Sequence, residues 1–116
     1  MIGYEIYEKA MSLLGYTDSD GNAKENNAFS RRAVNAINTI GSDLCDMTPI
    51  NNIMDEVTAD EKTSQAMCYG VAMILSLCEN DGEKNSVFTQ IFNSKRTALK
   101  SSVGTVKDLL PSIGGI

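Results

Sequence analysis

Residues 66–78, AMCYGVAMILSLC, are apolar almost all round. A helix without a polar face has to be covered on every side, so this stretch predicts the central helix of a bundle. It falls short of the ~20 apolar residues that a membrane span needs. Gly70, with Ala66 and Ala72 close by, leaves room for a neighbouring helix to approach closely.

The rest of the chain supplies helices to cover it. Tyr4, Tyr7, Met11 and Leu14, with Ala10 beside them, recur at helical spacing over residues 3–14, and Gly15 is a natural stop. A turn-forming cluster follows at residues 17–22. Ala33, Ile37, Ile40, Leu44 and Met47 form one seam on a second helix, expected from residues 23–27 to about 47. Gly41 weakens that helix without breaking it. Pro49 disfavours helix at Thr48. Residues 49–57 then read as a connector in which Ile50, Ile53, Met54 and Val57 make a helical turn or an extended strap. Thr58, Ala59, Asp60 and Glu61 match a capping box, with Thr58 as the expected cap of a third helix that reaches about residue 79. Residues 80–82 form a tight turn. A fourth helix spans about 83–102, with Val87, Phe88, Ile91, Phe92, Ala98 and Leu99 as its apolar face. The expected fold is all-α: a small bundle of about four helices over residues 1–102, with a flexible C-terminal tail over 103–116. At 116 residues this is one domain.

The net charge of −5 argues against a nucleic-acid coat. Charge is unevenly placed. Through Glu83 there are fourteen acids and five bases; from Lys84 onward there are five bases (Lys84, Lys95, Arg96, Lys100 and Lys107) and one acid, Asp108. Basic residues near the end of a helix are favoured by its dipole, and this alone accounts for Lys95, Arg96 and Lys100. Oppositely charged ends also suit head-to-tail contact between copies. The odd number of cysteines, Cys45, Cys68 and Cys78, and the N-terminal sequence, which does not resemble a secretion signal, predict reduced thiols in a cytoplasmic setting.

No pattern of residues encodes self-sufficient chemistry. The loop at Asp18 fails as a calcium loop, because Ala23 and Phe29 stand where glycine and glutamate are needed. Glu5 and Glu8 on one helix and Glu56, Asp60 and Glu61 near another are the acids a magnesium enzyme would use, but acids at helix starts are expected from the dipole. The chain has no histidine, hence neither the usual general base nor the commonest metal ligand. Cys68 and Cys78 read as core residues of the third helix. Arg31 and Arg32 with Asn35 and Asn38 are the best candidates for a DNA-reading helix, a weak footprint in an acidic half. The expectation is a non-enzyme with no catalytic residues, no metal, no cofactor and no membrane segment.

Residues 36–45 (AINTIGSDLC) followed by Pro49 and Ile50, then residues 69–75 (YGVAMIL), then residues 92–98 (FNSKRTA) resemble the small helical head–tail connector proteins of long-tailed bacteriophages and their prophages. The resemblance spans roughly residues 28–111. It implies a viral structural protein that forms a homo-oligomeric ring below the portal and offers a platform to the tail or the next neck protein, with DNA only as passing cargo. It places the protein in the virion neck, and in the host bacterial cytoplasm before assembly. Phe92, Asn93, Lys95 and Arg96 fill the aromatic-Asn-x-basic stretch that the family carries in its last long helix. The expected interface joins Asn93, Lys95, Arg96, Lys100, Lys107, Leu109 and Leu110 of one copy to Asp43, Asp46, Asp55 and Glu56 of the next. The alternative is a cytoplasmic helical module or regulator that docks one protein partner.

Overall fold

The computed structural model describes residues 1–17 and 27–115; for residues 27–29 and 101–115 it describes the backbone alone. The Asp18 loop therefore lies outside the described residues. Among those described, the chain forms α1 (Gly3–Leu14), α2 (Asn27–Leu44), α3 (Glu61–Cys78) and α4 (Gly82–Gly115). α3 lies at the centre and packs against the other three. Its buried Met67, Cys68, Val71, Ala72 and Leu75 meet Ile6, Tyr7, Met11 and Leu14 of α1, Ala33 and Ile37 of α2, and Phe88 and Phe92 of α4 in one core.

Close approach at the centre depends on Gly70. A Cβ there would lie 2.8 Å from Ile40 Cγ2 and 2.9 Å from Phe92 Cε1, so α2 and α4 both close on α3 at this residue. Gly41 has a different use. The Met47 thioether occupies the place its side chain would fill. α2 thus ends at Leu44, three residues before the expected end, and Met47 folds back onto the helix as a buried residue outside it.

The helix ends follow local chemistry. Gly15 is left-handed (φ 77°), and the Tyr16 N–H donates to Met11 O at 2.9 Å, which closes α1. Asn80 does the same for α3, with φ 56° and the Asp81 N–H donating to Ser76 O at 2.9 Å. At the start of α3 the cap is Asp60, whose carboxylate accepts from the Thr63 N–H at 2.7 Å. This corrects the expected Thr58 cap. Thr58 Oγ1 instead accepts from the Thr48 N–H at 3.2 Å and ties the two ends of the connector together.

The connector is a strap with a turn at its middle. Its partner is the start of the chain: Gly3 N–H donates to Asp55 O (2.9 Å) and Val57 N–H to Met1 O (3.0 Å), around an antiparallel bridge between Ile2 and Glu56. Gly3 permits this, because a Cβ would lie 2.8 Å from Ile53 O. Ile50 and Val57 are buried, whereas Met54 is exposed.

Two expectations about apolar faces need correction. Leu77 and Cys78 are exposed on the solvent side of the last turn of α3, whose Leu75 and Ser76 stay buried. Val87 is also exposed, on the flank of α4 beside its buried line of Phe88 and Phe92. Past the bundle, the backbone of α4 runs on from residue 102 to Gly115. Val106, Leu109 and Leu110 maintain helical spacing there, against Gly104, which costs a helix about 1 kcal/mol relative to alanine, and Pro111, which costs about 3 kcal/mol.

No helix among the described residues is long and apolar enough to cross a membrane.

Candidate functional site

α3 and α4 run antiparallel, so the N-terminus of α3 lies beside residues 95–100 of α4. An open groove of about 770 Å³ runs between them, reaching Leu44 at the end of α2. Its apolar part comes from Leu44, Ala66, Ala98 and Leu99. Charges of both signs line it: Asp60 and Glu61 at the first turn of α3, then Lys62, with Lys95 and Lys100 on α4. Hydrogen bonds from Thr63 hold the Asp60 carboxyl below its ordinary range, so this acid stays ionised at the positive end of the helix. Lys95 lies over the Tyr69 ring, 4.7 Å from its centroid.

The chain matches no family model, no curated protein and no solved structure.

Beside the groove, Arg96 grips Asp43 through two hydrogen bonds, Nε to Oδ2 at 2.7 Å and Nη2 to Oδ1 at 3.0 Å. They join α4 to α2 within one chain, although sequence placed them on opposite sides of a contact between copies. The Arg96 hydrogen bond, together with its charge, holds the Asp43 carboxyl below the ordinary value of 3.8. A depressed folded-state pKa contributes stability above the unfolded value, and that contribution disappears as pH falls through the folded one. Asp43→Asn is therefore expected to denature more easily than the parent at neutral pH, with the two melting curves converging once pH drops below about 3.8. Thermal melts across that range check it. Both side chains are more than a third exposed, so the difference is small.

The other expected interface residues divide in three. Asp55 accepts from the Asn51 and Asn52 N–H groups at 3.0 Å each and closes the connector turn. Glu56 sits 3.0 Å from the Met1 amine. Both acids thus hold the strap. Asp46, Asn93 and Lys100 are exposed and face solvent. Lys107, Leu109 and Leu110 lie on the backbone of α4, and their side chains are outside the described residues.

The acids weighed as magnesium ligands have local partners. Glu5 accepts from the Ile2 N–H at 3.0 Å at the start of α1, and Asp60 caps α3. Among the described residues no three His, Cys, Asp or Glu side chains converge as a metal site. Cys68 is buried, and that burial pushes its thiol up to about 11; Cys45 is also raised, by burial and then by the charges of Asp60 and Asp46. Neither is an activated thiolate near neutrality. In the candidate DNA-reading helix, Asn38 faces inward. Its amide donates to Ile50 O (2.9 Å) and accepts from Ile50 N–H (2.8 Å), while Arg32 pairs with Glu79 at 3.2 Å.

A second polar cluster fastens the far end of the bundle. Lys84 Nζ donates to Leu14 O at 2.6 Å, lies over the Tyr16 ring and sits 3.6 Å from Asp81, which accepts from the Tyr16 hydroxyl at 3.0 Å. Burial, then the hydrogen bond to Asp81, pushes Tyr16 up to about 12. These groups partner one another and make a structural clasp.

Sequence reasoning missed the groove. Leu44 and Leu99 were legible as apolar, but no sequence signal shows that α3 begins opposite Lys100 and leaves them half-covered.

Proposed function

We propose that the chain is a structural head–tail connector of a long-tailed bacteriophage or prophage, forming an oligomeric ring in the virion neck between portal and tail. The observation that carries this reading is the length of α4. It has 34 residues against 18 in α3, or about 51 Å against about 27 Å. α4 comes level with the start of α3 near Lys100, and residues 101–115 extend about 22 Å further. We read this stretch of backbone, which runs past the start of α3, as the part of α4 offered to neighbouring subunits.

The segments that resemble the connector family support the reading through their packing. Ile40 of the first, Gly70 of the second and Phe92 of the third meet at one junction, and Asp43 and Arg96 bridge the first and third beside it. The resemblance thus falls on a framework. A ring requires a heterologous contact that closes on itself. With Asp43 and Arg96 paired inside the chain, its charged component rests on Lys100 and Asp46, both exposed. The open groove also favours a second reading, a module that docks one protein partner; a stable one-to-one complex without self-association would select it.

Negative-stain imaging of the chain mixed with its portal tests the proposal. An added tier on the portal rings is expected. Bare portal rings at saturating chain concentration would count decisively against it.

A further inference from the structure

We draw no further inference here: the strongest candidate, the apolar surface at the C-terminal end of α3, where exposed Leu77 and Cys78 share a side of the helix with partly buried Ile74, carries nothing because nothing in the structure shows what covers it.

Discussion

Gly70→Leu is expected to destabilise the protein by about 3 kcal/mol or more, the upper end for inserting side-chain volume into a filled core. At Gly70 the first added carbon already lies 2.8 Å from Ile40 and 2.9 Å from Phe92, and leucine places three more beyond it. α2 and α4 cannot both stay seated on α3. Gly70→Ala separates the terms. Alanine gains about 1 kcal/mol of helix propensity but still requires Ile40 and Phe92 to shift. Its expected cost is therefore small, about 1 kcal/mol. Urea unfolding of both variants checks this. A near-neutral Gly70→Leu would show that the three helices do not meet there as described.

The second large effect is expected at Asn38. Its side chain pairs with both the N–H and the C=O of Ile50, as a peptide group would. Alanine leaves two part-buried backbone groups unpaired, at about 1–3 kcal/mol each where water does not reach them. A loss of about 2–4 kcal/mol is expected. Asn35→Ala on the exposed side of the same helix is the control. It gains the same propensity, loses no described partner and should stay within about 0.5 kcal/mol of the parent. Equal effects at the two positions would mean that Asn38 does not hold the connector.

How much of this was legible in sequence depended on whether the signal was local. The period of α1, α2 and α3 comes from side chains three and four apart. Residues 66–78 therefore predicted a central helix, and Gly70 a close crossing, without knowledge of the neighbours. The expectations that failed depended on distant parts. Thr58 fits a cap pattern as well as Asp60 does, but Thr58 is occupied by Thr48 across the connector. Met47 continues the α2 seam in sequence, yet it folds back because Gly41 leaves a space. Asn38 looked like one of several polar residues on a helix, and only the position of Ile50 gives it a purpose. For the candidate site, charge counting found the basic stretch of α4 but not its pairing. Arg96 is spent on Asp43, fifty-three residues away, and Asp55 and Glu56 hold the connector. The groove between α3 and α4 depends on where two distant helices meet and is no pattern in the sequence.

The central claim is that the chain works by assembling with copies of itself on a portal. Light scattering of the full chain, alone over a rising concentration series and then with portal rings added, measures this directly. The account predicts a mass increase on the portal equal to several chains, with self-association visible at high concentration or only once the portal is present. A monomer mass throughout, with no mass added to the portal, would contradict it.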